Sequence, residues 1–137
     1  MILVDTNVIS ETLKPSPDQR VIEWLIANDA ELALPSMVIA ELAYGIARIR
    51  PDQRAKRLEQ GLEAWRARFR DRIHAFSEAD ALAYGEVMGT RSQSGLPMSI
   101  PDGIIAAMAR TRGASVATRN VEDFGALQLE VVNPWEF

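Results

Sequence analysis

The chain begins with an apolar run, Ile2-Leu3-Val4, that stops abruptly at Asp5-Thr6-Asn7 and gives way to a helical period. That pattern, a short buried strand and then a helix, recurs along the chain. Leu32-Ala33-Leu34 precedes a helix capped by Ser36 that turns Ile39, Leu42, Ala43, Ile46 and Ala47 inward. Ala114 to Thr118 reads as another strand, followed by a helical turn at Val121–Phe124, and Leu129 to Val132 as the last. Between them the spacing predicts helices from Val8 to Lys14, from Asp18 to Asn28, and from Asp52 to Arg72. In the third of these, Leu58, Leu62, Trp65, Phe69 and Ile73 form one stripe. A capping box at Ser77-Glu78-Ala79-Asp80 opens a helix to about Met88, and a polar loop spans Gly89 to Ser99. Pro101 then introduces a helix over Asp102–Arg112. Strictly alternating strands and helices predict an α/β fold: a parallel sheet of about four to five strands with helices on both faces. With no repeat and no linker, residues 1–137 read as a single domain.

Composition narrows the chemistry. The chain has no cysteine and one histidine, His74. Disulfide scaffolds, thiol nucleophiles and thiolate or multi-histidine metal sites are therefore excluded, and any metal must be held by oxygen. His74, beside Ile73 and Phe76, reads as structural. The longest apolar run, Ile104 to Ala109, has six residues, against about 20 for a bilayer span. No basic segment precedes the N-terminal apolar stretch, so a soluble, cytoplasmic protein without membrane association is expected.

In an open α/β sheet ligands bind beyond the carboxyl ends of the strands. The acids predicted there are Asp5 after the first strand, Glu41 in the second turn of the Ser36 helix, Asp102 at the start of its helix, and Asp123 after Thr118-Arg119-Asn120. Taken singly each has a plain structural role: Asp5 as a helix cap, Asp102 as a first-turn acid favourable to the helix dipole, Glu41 as a solvated helix residue, Asp123 as a cap or a partner of Arg119. Together at one sheet edge they would repel each other unless a cation intervened. Hard divalent ions such as Mg²⁺ or Mn²⁺ suit such a carboxylate set.

Four segments carry a family resemblance: Met1-Ile2-Leu3-Val4-Asp5-Thr6-Asn7, Pro35 through Gly45 around Glu41, Ile100-Pro101-Asp102-Gly103, and Ala117-Thr118-Arg119-Asn120-Val121-Glu122-Asp123-Phe124. In this order they resemble the PIN-domain ribonucleases, in particular the VapC toxins of type II toxin–antitoxin pairs and their FitB-like branch. The resemblance covers nearly the whole chain. It implies a three-layer PIN fold and a Mg²⁺- or Mn²⁺-dependent endoribonuclease with Asp5, Glu41, Asp102 and Asp123 as catalytic, metal-binding acids. Many relatives have Asp where this chain has Asn120, so Asp123 is expected to take that role directly or through water. Thr6, Asn7, Thr118 and Asn120 are then expected to orient the acids or the substrate. Implied partners are an RNA substrate, a VapB- or FitA-like antitoxin, and a second copy in a homodimer or a dimer of heterodimers, with DNA met only through the antitoxin. A PIN-fold module that binds RNA or a partner without cutting is the alternative. A haloacid-dehalogenase-type phosphatase, which wants an Asp two residues beyond the first, is opposed by Asn7.

Formal net charge is −4, but residues 48–72 carry nine of the fifteen Lys and Arg against four acids, a block of +5 that leaves −9 for the rest. Such segregation predicts polyanion binding, with Arg48, Arg50 and Arg119 as contacts to an RNA backbone or to an antitoxin, set against the plainer reading of a solvated, ion-paired helix face. Trp24, Trp65, Tyr44 and Tyr84 could stack on bases, although Trp65 lies in an apolar stripe and reads as core or interface. Trp135 and Phe137 are expected to pack back or to meet a partner.

Overall fold

Five short strands, β1 (Ile2–Val4), β2 (Leu32–Pro35), β3 (Ile73–His74), β4 (Ser115–Ala117) and β5 (Val131–Val132), form one sheet in the computed structural model, which describes residues 1–137. The order is β3-β2-β1-β4-β5 and every pairing is parallel. Seven helices flank it: α1 (Thr6–Thr12), α2 (Gln19–Ala27), α3 (Ser36–Ile49), α4 (Gln53–Arg68), α5 (Glu78–Gln93), α6 (Ile100–Arg112) and α7 (Val121–Gly125). The expected α/β architecture is thus present, with β1 in the middle. Leu3, Val4, Leu34, Val116 and Ala117 are fully buried, which is why these strands read as unbroken apolar runs.

The elements depart from the sequence reading where packing overrules local pattern. The helix expected to run to Arg72 stops at Arg68, and Ile73 leaves its stripe to pair with Leu34 as strand β3. Without that strand the outer edge of β2 would present unpaired backbone groups. Phe69 ends the helix fully buried, stacked on Trp65 with ring centroids 5.2 Å apart. The Trp65 indole N–H donates to Thr12 Oγ1 at 3.0 Å, so this stripe faces the chain's own core. α1 starts two residues early because Asp5 caps it. α5 runs on to Gln93, so the loop expected from Gly89 begins only at Ser94. Ser36 is not a cap: β2 passes directly into α3, whose cap position is Pro35. The buried side of α3 holds Val38 and Ile46, with Leu42 and Ile49 half-buried, while Ala43 and Ala47 are exposed. The helix packs on α1, α4 and α6, and those larger side chains set its rotation.

α6 lies deepest, with Ile105 through Ala109 without exposure. Its small residues let α5 approach: a Cβ at Gly103 would fall 2.4 Å from Met88 Sδ. Gly113 ends the helix at φ +59°, a left-handed cap that a side chain would strain. The predicted capping box is present, with Asp80 N donating to Ser77 Oγ at 3.1 Å and Ser77 N to Asp80 Oδ2 at 2.8 Å. His74 is structural as expected, its Nδ1 accepting from Arg112 Nε at 3.3 Å. No helix is long and apolar enough to cross a membrane.

Candidate active site

β1 and β4 pair with Leu3 opposite Val116 and Val4 opposite Ala117, so the next residues outward, Asp5 and Thr118, emerge side by side. Asp5 N extends the ladder by donating to Ala117 O at 2.9 Å. Strand order reverses about β1, and the crevice at such a reversal is where α/β sheets bind ligands.

Asp5 is both a cap and a site residue. Its Oδ1 accepts from Thr6 N at 2.7 Å, while Oδ2 accepts from Thr118 Oγ1 at 2.6 Å and Asn7 Nδ2 at 3.3 Å. The buried Thr118 hydroxyl oxygen in turn accepts from Asn7 Nδ2 at 3.3 Å and Asn120 N at 3.0 Å. Burial pushes the Asp5 carboxyl above the usual carboxylate range; the Thr118 hydroxyl and Thr6 N–H pull it down, and the charge of Glu41 adds to the rise. Thr6 reaches Glu41 directly, Oγ1 donating to Oε1 at 2.5 Å. Asp102 stands in the first turn of α6, its N–H donating to the Ser99 cap at 3.3 Å. Burial raises this carboxyl too, the charge of Asp5 adding to it and then that of Asp123, against hydrogen bonds from Ser99 and Asn120. Thr6, Asn7 and Thr118 thus engage the acids directly, and Asn120 reaches Asp5 through the Thr118 hydroxyl.

Asp5, Glu41 and Asp102, delivered by three separate stretches of chain, line one open cavity of about 420 Å³. Trp135 is the one apolar side chain in its wall. None of the three acids forms an ion pair; all ten pairs of the molecule lie elsewhere. As they stand, no three acids close tightly enough to grip an ion jointly. They do form a set of oxygen donors without cationic partners, and that donor chemistry fits a hard divalent cation.

Asp123 is outside this cavity. Its Oδ1 accepts from Arg91 Nη2 at 3.3 Å, and it lines an adjoining shallow pocket with Arg119 and Asn120. The partner expected from sequence, Arg119, is replaced by a buried arginine brought in by the last turn of α5. Arg48 and Arg50 do not line the cavity either: Arg50 pairs with Glu59, and Arg48 lies 5.8 Å from the centroid of the Tyr44 ring. Arg50, Arg54, Arg66, Arg68 and Arg72, five of the nine cations in the basic block, are ion-paired, the last two sharing Asp29. The ion-paired face is the better description of that block. Only Arg119 of the three expected contacts reaches the cavity.

Ser10, Glu11, Lys14 and Trp135 line the cavity without having been anticipated. For three of them a signal existed: with Asn7 they fall at helical positions i, i+3, i+4 and i+7 of the helix expected to reach Lys14, although α1 itself ends at Thr12 and Lys14 follows its cap. Glu11 is buried, accepting from Lys14 Nζ at 2.9 Å and Asp18 N at 3.1 Å. Nothing local marks Trp135, which arrives from more than a hundred residues away.

A parallel sheet with carboxylates gathered at its central crevice is the arrangement of a PIN domain, and the chain belongs to that family, whose signature matches residues 2–127. Within the family it is similar to Toxin FitB of Neisseria gonorrhoeae, 37% identical over 98% of this chain and 99% of that protein. It is also similar to VapC ribonuclease Y4jK of Sinorhizobium fredii, 36% identical over 99% of each. The crystal structure of FitAcB from Neisseria gonorrhoeae contains a chain that superposes with a TM-score of 0.90 at 36% identity, covering 100% of both.

Proposed function

We propose that the protein is a Mg²⁺- or Mn²⁺-dependent endoribonuclease, the toxin of a type II toxin–antitoxin pair, acting on RNA in the cytoplasm. The observation that carries this reading is the convergence of Asp5, Glu41 and Asp102, all without cationic partners, on one polar cavity at the strand-order reversal. These three would hold the ion, with Asp123 as the fourth acid once it leaves Arg91. When bound, the ion supplies an activated water and stabilises the departing oxygen of the phosphodiester. The chain's own residues prepare the ligands. Thr118 Oγ1 and Thr6 N fix both oxygens of Asp5, Thr6 Oγ1 steers Glu41, and Asn120 N holds the Thr118 hydroxyl in place. The proposed partners are a FitA- or VapB-like antitoxin and a second copy of the chain, with DNA contacted through the antitoxin.

One observation favours the non-catalytic reading: Asn120 stands at the cavity and Asp123 is engaged with Arg91. Cleavage of single-stranded RNA separates the two. The wild-type chain should cut only with Mg²⁺ or Mn²⁺ present, EDTA should abolish cutting, and Asp5→Asn and Asp102→Asn should each lower the rate at least about a hundredfold while melting cooperatively. RNA binding without metal-stimulated turnover would assign the chain to the binding class.

A further inference from the structure

The cavity wall facing the acids contains two cations, Lys14 and Arg119. Lys14 is committed to Glu11 at 2.9 Å. Arg119 has no carboxylate partner, and none of its side-chain N–H groups donates within the protein; its one hydrogen bond is from backbone N to Asn7 Oδ1 at 3.3 Å. Its guanidinium is nonetheless held in place, lying 4.5 Å from the centroid of the Trp135 ring. Trp135 is buried, carried by a turn at Pro134–Glu136 whose cap, Asn133 Oδ1, accepts from Trp135 N at 3.0 Å. Arg119 is therefore tied at both ends, by Asn7 to α1 and by the indole to the wall. A cation–π contact of this kind consumes none of the guanidinium's N–H donors, which can therefore grip phosphate oxygens two at a time.

Resting on the ribonuclease reading above, we propose that Arg119, stacked on Trp135, is the phosphate-positioning residue of this site: it binds non-bridging oxygens of the RNA backbone next to the acidic cluster. A polyanion approaching three carboxylates is repelled, and this is the one cation in the cavity free to offset that. The wall contains no other apolar side chain than Trp135 to seat a hydrophobic peptide, which favours phosphate over a protein ligand. Trp135 restrains a long flexible side chain in its binding pose, lowering the entropy lost when the phosphate arrives.

The test is metal-dependent cleavage of a labelled mixed-sequence single-stranded RNA by the full chain, with KM, kcat and the salt dependence of KM measured separately. Arg119→Gln should raise KM about tenfold, change kcat far less, and make the slope of log KM against log salt shallower by about one. Trp135→Phe keeps a ring with a weaker face and should raise KM less than Trp135→Leu, which should raise it several-fold; neither alters the number of charges, so the salt slope should not change. Arg119→Lys should recover only part of the loss. Unchanged KM and slope in Arg119→Gln, with the wild type active, overturns the proposal. The same result together with weaker retention of co-expressed antitoxin overturns it in favour of a protein contact. A wild-type chain that never cleaves instead removes the ribonuclease reading, and the anisotropy of the same RNA on wild type and Arg119→Gln then decides the phosphate contact by itself. Should Trp135→Leu fail to fold, the Arg119 variants still decide.

Discussion

Asp80 is a fully buried acid away from the cavity, and it ties the start of α5 to the end of α6. Its Oδ2 accepts from Ser77 N at 2.8 Å, and its Oδ1 from Thr111 Oγ1 at 2.6 Å and Arg112 Nη1 at 2.7 Å. Arg112 Nη2 also donates to Oδ2 at 3.2 Å, so Asp80→Ala strips four hydrogen bonds from three residues at once. Removing one member of a buried ion pair costs about 3–5 kcal/mol. Arg112 keeps Met108 O at 3.1 Å and Ala75 O at 3.3 Å, and its side chain is 19% exposed, so part of its solvation survives. The loss should therefore lie near about 3 kcal/mol, or roughly 10 °C in Tm for a chain of this length. The pH dependence gives a second handle. Burial works against the Asp80 carboxylate, yet the bonds from Arg112, Thr111 and Ser77 overcome it and hold the carboxyl well below its ordinary range. A lowered folded-state pKa means the stabilisation is complete above the unfolded value of about 3.9 and declines as pH falls below it, by about 1.3 kcal/mol at pH 3. Urea unfolding of wild type and Asp80→Ala at pH 7, 5 and 3 should show equal gaps at the first two and a narrower gap at the third. A gap under about 1 kcal/mol at pH 7, or one that stays constant down to pH 3, would refute the reasoning.

Three further outcomes are expected. Burial holds the Asp5 carboxyl above its unfolded value, so in EDTA the wild type should lose stability as pH rises from about 4 towards neutrality, and Asp5→Asn should flatten part of that decline in a pH series of urea midpoints. Gly103→Val places a branched side chain where even a Cβ meets Met88 Sδ at 2.4 Å and Tyr84 at 3.2 Å, and should cost at least about 2 kcal/mol in thermal unfolding; a neutral variant would mean that α5 and α6 can part freely. Arg91→Met releases Asp123 from its buried partner, and isothermal titration with Mn²⁺ should then show tighter binding than wild type if Asp123 serves as the fourth acid, with unchanged affinity counting against that role.

Much of the architecture was legible because its causes are local. Strand runs ended by Asp5 and by Thr118, the Ser77–Asp80 capping box, and Pro101 opening α6 each act through neighbours a few residues away. The failures had long-range causes. Ile73 fits a helical stripe equally well, and only the exposed edge of β2 draws it into the sheet. Ala43 and Ala47 fit an inward face of α3 until Val38, Ile46 and Ile49, packing on other helices, rotate the helix away from them. The basic block reads as a field of +5 in the sequence, but Asp29, 39 residues from Arg68, helps to neutralise it.

By itself the sequence determined the class of sheet and limited the ligands available to any metal almost entirely to oxygen, because hydrophobic period and the absence of cysteine are properties of composition and spacing. Only the tertiary structure decided which acids share a cavity. Asp5 and Thr118 meet through a register 113 residues apart, Arg91 engages Asp123, and Trp135 comes from the other end of the chain to share a cavity with Asp5 and Glu41. Charges so far apart in the chain interact only through distance and burial, and neither exists until the sheet has closed.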